Sequence, residues 1–392
     1  MISRVFEVFW VFLRLGLTSF GGPIAHLGYF HDEFVKRRKW LDEPSYADLV
    51  ALCQFLPGPA SSQVGLAVGL SRAGVAGAVA AWLGFTLPSA LILVAVGLGF
   101  THFSGHVGEG LLHGLKLVAV PIVAQALWGM GTKLCYDKTR VTIAVVGSVL
   151  AASLPFGFAQ VGVILLGGLV GYFYLRDSTT LPHTPIKTNI SRTAAALILA
   201  SFLVLLIALP IASRVFDSQS VRLFDSFFRA GSLVFGGGHV VLPLLKSEVV
   251  SPGWVSASSF MAGYGAAQAI PGPLFTFSAY LGAVSQVPPS GWIGAAICLV
   301  AAFLPSFFLV FGTLPYWERI RKYGGMRSAM HGINAAVVGL LLAAFFNPVW
   351  TSAILSPKDF GLASIGFLLL VFWQTPSWAV VLLTAVASGV LP

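Results

Sequence analysis

Two arginines lie inside apolar stretches of this chain, Arg14 and Arg229, each six residues ahead of the Phe of a Phe-Gly-Gly triplet, at Phe20-Gly21-Gly22 and Phe235-Gly236-Gly237. A cation at the centre of a membrane helix costs at least about 2.5–3.5 kcal/mol on insertion scales, so it calls for a partner. The spacing predicts that both arginines approach a central anion from two sides of a pseudo-two-fold axis. The alternative is that they snorkel, or pair on their own helices with Glu7 or Asp225. Lys116, just ahead of Pro121 in a third apolar stretch, is a further cation; it reads either as a binding group or as a structural partner for a helix end.

Downstream of each triplet comes Gln-x-x-Pro-Gly-Pro, at Gln54 with Pro57-Gly58-Pro59 and at Gln268 with Pro271-Gly272-Pro273. Proline removes a backbone donor and glycine weakens a helix, so each of these elements interrupts a helix. Irregular backbone is tolerated at membrane depth only where it is buried in protein or lines a cavity. This places Gly21, Gly22, Gly236, Gly237, Gly58 and Gly272 among the substrate-binding candidates. A helix restarting after the break offers unpaired amides and the positive end of its dipole to an anion. Ser61 and Ser62 follow the first break, Thr276 and Ser278 the second, and the two glutamines can donate or accept. The alternative is a kink of purely architectural use.

Carboxylates and imidazoles that could couple transport to protons are Glu7, Asp32, Glu33, Asp48, Asp225, Glu248, His26, His113, His239 and His331. Glu33 and Glu248 stand apart because they occupy matching positions of a repeat; a carboxylate embedded near an anion site exchanges protons closer to neutral pH. No phosphate-binding loop, His-Glu-x-x-His pattern or clustered Cys and His set occurs. We expect no enzyme activity, no metal and no cofactor. Cys53, Cys135 and Cys298 are widely spaced and read as packing residues.

The elements that must position these residues are membrane helices. Hydrophobic residues make up 57% of the chain and charged residues 9%, against about 25% charged in a soluble domain. Apolar runs recur at 74–100, 111–130, 141–154, 161–174, 194–211 and 360–373, several long enough to cross a bilayer as helices. Lipid offers the backbone no hydrogen-bond partner, so the fold class is an all-α polytopic membrane protein. Residues 5–17 show no small-residue cleavage site and read as a membrane segment rather than a removable signal.

The chain is a tandem duplication. Besides the paired triplets and breaks, Glu33 matches Glu248, Trp40 matches Trp254, Gly74 and Gly77 match Gly291 and Gly294, Leu87-Pro88-Ser89 matches Leu304-Pro305-Ser306, and His113 matches His331, at an offset that stays between 214 and 218. The expected organisation is a first repeat at 1–175, a polar cytoplasmic linker at 176–192, a connecting transmembrane helix at 193–221 and a second repeat at 222–392. If the broken elements are re-entrant hairpins, most of the 23 lysines and arginines fall on the cytoplasmic side, leaving only Arg214, Arg222, Lys246 and Lys358 outside. The basic run at 36–39 faces a counterpart with only Lys246, and the basic segment at 319–327 matches 101–110, which has none. Opposite bias in matching loops predicts two inverted-topology repeats with broken, re-entrant helices. The net charge of +9 is thereby a membrane-topology signal and does not call for nucleic acid.

With Phe20-Gly21-Gly22 and Gln54-x-x-Pro57-Gly58-Pro59 repeated as Phe235-Gly236-Gly237 and Gln268-x-x-Pro271-Gly272-Pro273, the sequence resembles the chromate ion transporter family in its long, two-domain form, over roughly 6–176 and 222 to the carboxyl end. The resemblance implies export of chromate from the bacterial cytoplasm across the inner membrane, conferring resistance, with sulfate as the similar competing anion and an ion gradient or membrane potential as the drive. A homodimer is compatible with it. The sequence departs from its own repeat where Gly238-His239 stands against Pro23-Ile24, so the halves need not contribute equally. Other readings are a sulfate or other oxyanion permease, a passive anion channel, and a membrane enzyme or lipid-handling protein whose breaks cradle a phosphate headgroup.

Overall fold

The computed structural model describes residues 2–20, 22–100, 106–153, 157–175, 190–235, 241–317 and 323–390. Apart from short connections, these residues form helices, with no strand among them. The first half contains α1 (Ile2–Thr18), α2 (Gly22–His31), α3 (Glu43–Phe55), α4 (Ala60–Phe100), α5 (His106–Leu134), α6 (Lys138–Ser153) and α7 (Gly157–Tyr174). A single helix, α8 (Arg192–Val215), leads into the second half. That half contains α9 (Gln219–Leu233), α10 (Val241–Val249), α11 (Ala257–Ala269), α12 (Phe277–Ala283), α13 (Gly291–Thr313), α14 (Gly324–Ala344), α15 (Pro357–Val371) and α16 (Ser377–Val390).

Helix α4 is not straight. Ala73 and Gly74 leave helical geometry, Gly74 at φ +68°, and the chain folds back so that a side chain on Gly69 would meet the Gly77 carbonyl at 2.4 Å. Eight residues along a straight helix would separate these two by about 12 Å. The second half reproduces the bend as the α12–α13 connection, where Gly282 and Gly294 meet in the same way. Among the described residues five helices are long and apolar enough to cross a membrane: the α4 segment, α5 from His113, α8, α13 with its short extension, and α14 with the irregular turn after it. In α4 the arm after the bend supplies that length. This is a multi-pass membrane protein.

Capping follows the repeat as well. Asp42 accepts from the Ser45 amide at the start of α3, and Ser256 from the Ser259 amide at the start of α11, each satisfying an amide that the first helical turn leaves unpaired.

Helix α1 packs on α4 and, equivalently, α9 packs on α13. The halves then exchange partners: α5 of the first lies against α15 and α16 of the second, while α14 of the second lies against α6 and α7 of the first. Backbones touch at both exchanges, Gly114 against Ala385 and Thr384, and Gly332 against Gly167 and Gly171. Small residues permit that approach, which in lipid replaces hydrophobic burial as the source of helix association. One hydrophobic core runs through both halves.

Candidate functional site

Each Pro-Gly-Pro break of one half is bonded to the end of the first helix of the other. Leu56 leaves α3 extended, and the Gly58 amide donates to the Val234 carbonyl just beyond α9 at 2.6 Å. The Gly272 amide donates to the Ser19 carbonyl just beyond α1 at 2.9 Å. Gly58 sits at φ +120° and Gly272 at φ +103°, a region that a Cβ disfavours. Space requires glycine too: a Cβ on Gly58 would come within 2.5 Å of Gln63 Nε2 and 2.9 Å of Ser306 Oγ, and one on Gly272 within 2.8 Å of Ser89 Oγ. Ser89 and Ser306 are themselves repeat mates, so each break lies against the Leu-Pro-Ser turn of the opposite half.

Polar side chains collect around this crossing, and the first half supplies most of them. Ser19, His26, Ser61, Ser62, Gln63, Thr86 and Ser89 are all buried. Gln63 Nε2 donates to the Pro57 carbonyl at 2.6 Å and holds the break in place. Ser89 Oγ donates to the Thr86 carbonyl. Ser19 Oγ, Ser62 Oγ, Gln63 Oε1 and Thr86 Oγ1 have no protein partner. An unsatisfied buried polar atom costs about 1–3 kcal/mol, so a group of them in one region marks a place for a polar occupant. Gln63 Oε1 only accepts; the donors here are the hydroxyls of Ser19, Ser62 and Thr86 and the first amides of α4, which no turn of that helix can satisfy. Together they suit an oxyanion held by uncharged donors.

The second half is furnished differently. After Pro273 the chain makes a three-residue 3-10 turn, Leu274–Thr276, before the seven-residue α12. Thr276 Oγ1 and Ser278 Oγ donate to the Pro273 and Phe275 carbonyls and are used up locally.

Among the described residues no charged candidate shares a side-chain hydrogen bond with this polar group. Arg229 forms a fork with Asp225 at 3.1 Å and another with Glu248 at 2.8 Å, the internal pairing that the sequence left open. Arg14 is exposed on α1, with no ion pair among the described residues, and no contact links it to Arg229. Glu33 accepts from Arg37 at 2.9 Å and Arg38 at 2.6 Å, and Glu7 accepts from Arg38 and Arg72 at 3.1 Å. Arg38 and Arg72 also lie over the Trp40 ring. Burial pushes the Glu33 carboxyl upward, but the two guanidiniums outweigh it and hold it below the usual range. Lys116 is half-buried on α5 without a hydrogen bond or ion pair among the described residues. Gln54 is exposed. Gly22 begins α2 at φ +75°, while Gly21, Gly236 and Gly237 lie outside the described residues, as do Gly238 and His239.

Gln63, Ser19 and Thr86 carry orphaned atoms that a search for repeated residues passes over, because their mates are Phe277, Val234 and Phe303. The available signal was a Gln and a Thr inside otherwise apolar helix next to a paired break. Among the described residues no three His, Cys, Asp or Glu side chains cluster as a metal site would require.

Comparison with known proteins agrees with the repeat. The chromate transporter family model matches twice, over residues 6–172 and 221–390. An uncharacterized transporter of Methanocaldococcus jannaschii is 30% identical over 348 residues, covering 86% of this chain and 82% of its own. A chromate transport protein of Pseudomonas aeruginosa is 26% identical over 386 residues, 97% of this chain and 90% of its own. A probable chromate transport protein of Synechococcus elongatus is 29% identical over 340 residues, 85% and 81%. No solved structure matches. With two matches of one model spanning nearly the whole chain, this protein belongs to the chromate transporter family.

Proposed function

We propose that the chain is a secondary active transporter that exports chromate, or a tetrahedral dianion of the same size, from the cytoplasm across the bacterial inner membrane, conferring chromate resistance, with sulfate as the competing anion. The observation that carries this reading is the reciprocal crossing, Gly58 amide to Val234 carbonyl and Gly272 amide to Ser19 carbonyl, beside a set of buried polar atoms with no partner. Discontinuous helices meeting at a repeat interface are where transporters built from inverted repeats hold their substrate. Opposite charge bias in matching loops supports the inverted orientation, and rocking of one half against the other would then open the crossing to each side in turn. The name of one relative, a chromate transport protein, and that of another, a probable chromate transport protein, supply the substrate.

Everted membrane vesicles test direction and cargo together. Labelled chromate is expected to accumulate inside them, and excess sulfate is expected to lower that accumulation by competition. Sulfate flux without chromate flux, or chromate flux only into right-side-out vesicles, overturns the proposal. Collapse of the proton gradient at clamped voltage is expected to stop the flux; undiminished flux identifies a passive channel.

A further inference from the structure

His26 of α2 is buried at 1% exposure, and its two ring nitrogens meet the two parts of the crossing. Nε2 lies 3.2 Å from the Ser19 carbonyl oxygen and Nδ1 3.3 Å from Ser61 Oγ. A carbonyl only accepts, so Nε2 carries the hydrogen. In the neutral ring Nδ1 is then the bare acceptor. Ser61 therefore donates to it, and the single hydrogen of the first hydroxyl after Pro57-Gly58-Pro59 is committed to the imidazole. The adjacent Ser62 Oγ has no partner.

We infer that His26 is the proton-linked residue of the anion site: a proton added at Nδ1 makes the ring the donor to Ser61 and releases the Ser61 hydrogen to the bound oxyanion. The inference rests on the oxyanion-transport reading and adds a regulation to that site. The balance is simple. One proton enters from water, Nδ1–H donates to Ser61 Oγ, and the hydroxyl rotates; no bond between heavy atoms changes. The new positive charge also lies beside the anion. The Ser19 carbonyl that accepts from Nε2 is the one that accepts from Gly272, so protonation is felt at the break of the second half as well.

Charged neighbours do not supply this effect. Beyond Ser19 and Ser61, His26 touches the Phe85 ring of α4 edge-on at 5.2 Å. On α2 itself His31 bonds Glu43, and in the turn that follows Asp32 pairs with Lys36 and Glu33 with Arg37 and Arg38. On α4 Arg72 pairs with Glu7 of α1, whose Arg14 is exposed, and on α3 the Tyr46 hydroxyl donates to the Leu27 carbonyl. The bound anion is then the group that favours the imidazolium, and linkage makes the preference reciprocal: protonation strengthens anion binding by the factor by which the anion strengthens protonation.

The experiment measures chromate affinity of the purified full chain between about pH 5.5 and 8.5, for wild type, His26→Gln and Ser61→Ala. Chromate takes up a proton in this range, equally for every protein, so the ratio of wild-type to variant affinity isolates the protein's part. The wild-type to His26→Gln ratio is expected to rise toward acid by up to about tenfold per pH unit, the limit for one linked proton. Ser61→Ala is expected to lose roughly tenfold at the acid end, where its hydrogen is free for the anion, and little at the alkaline end, where it faces His26. A flat His26→Gln ratio, or a Ser61→Ala loss that is the same at both ends, overturns the inference. If His26→Gln fails to fold, the Ser61→Ala profile decides alone. Absence of chromate binding by wild type at every pH overturns this inference and the transport reading together, whereas binding with flat ratios overturns this inference only.

Discussion

The two halves bring the same backbone to the crossing and different side chains. Gly58 and Gly272 have the same left-handed geometry and the same cross-half hydrogen bond. The first half contributes Ser19, His26, Ser61, Gln63 and Thr86 to the crossing, with the Ser19 carbonyl at Gly272 and Gln63 at Gly58; their mates by repeat position are Val234, Val241, Phe275, Phe277 and Phe303. Phe275 and Phe303 pack edge to face at 5.9 Å, and Phe277 stacks on Tyr280. The ion pairs diverge likewise. Arg229 has Asp225 one turn earlier, whereas Arg14 has Trp10 there. Duplication has thus kept the device that joins the halves and specialised the side chains, giving the crossing one polar wall and one aromatic wall. On the proposed reading, anion chemistry belongs to the first wall and shape to the second.

Substitution of the two glycines tests the shared device and produces the largest effect. Gly58→Val meets both the φ penalty, about 1–2 kcal/mol for a residue forced left-handed, and the side chains of Gln63 and Ser306, so chromate flux is expected to fall at least about a hundredfold, the scale of an ångström misplacement at a working site. Gly272→Val meets one serine hydroxyl and the Phe85 carbonyl and should also lose flux, by less. Uptake into everted vesicles at matched protein levels measures both. Equal, near-wild-type flux in the pair would reduce the breaks to architecture.

The sequence made the shared device legible and concealed the specialisation. Apolar runs and a nearly constant repeat offset are enough for an all-helical membrane fold, and proline with glycine reveals a break wherever it falls. The exchange of α5 and α14 between the halves leaves no such mark, because small residues at helix crossings look like small residues anywhere. Nor could spacing reveal which arginine has a partner across helices: Glu248 reaches Arg229 from α10, and Arg38 takes Glu33, its repeat mate, in the first half. Matched residues mark only the positions that stayed alike. His26 was visible as a titratable group and Ser61 as a hydroxyl after the break, but their contact depends on how α2 folds back onto α4.

Arginine replacement sharpens the electrostatic side of the comparison. Arg229→Gln strands Asp225 and Glu248, whose side chains are 5% and 18% exposed. Since Arg229 itself keeps 29%, the expected destabilisation is about 2–3 kcal/mol, below the 3–5 of a fully buried broken pair. Thermal unfolding in detergent should register it as a clear drop in Tm. Arg14→Gln removes no ion pair formed among the described residues and is expected to leave Tm within about a degree, consistent with surface substitutions near ±0.5 kcal/mol. This difference makes Arg14 the cleaner probe of a charge on the transport path. Lost flux with unchanged Tm in Arg14→Gln would put its guanidinium there.

The smallest effect concerns the matched carboxylates. Burial raises the pKa of Glu33, and Arg38 and Arg37 more than reverse this, leaving the group depressed in the folded protein. A depressed carboxylate contributes stability that is complete above its unfolded value of 4.5 and is lost as pH falls through the lower folded value. Wild-type Tm should therefore decline on acidification from pH 7 toward pH 3, and Glu33→Gln should show a shallower decline with a lower Tm at neutral pH. The side chain belongs to a cluster that also includes Glu7 and Arg72, so the difference between the two curves is expected to be modest. Parallel curves would mean that Glu33 holds its proton with the same affinity folded and unfolded, and that the guanidiniums of the first half do not neutralise it as Arg229 neutralises Glu248.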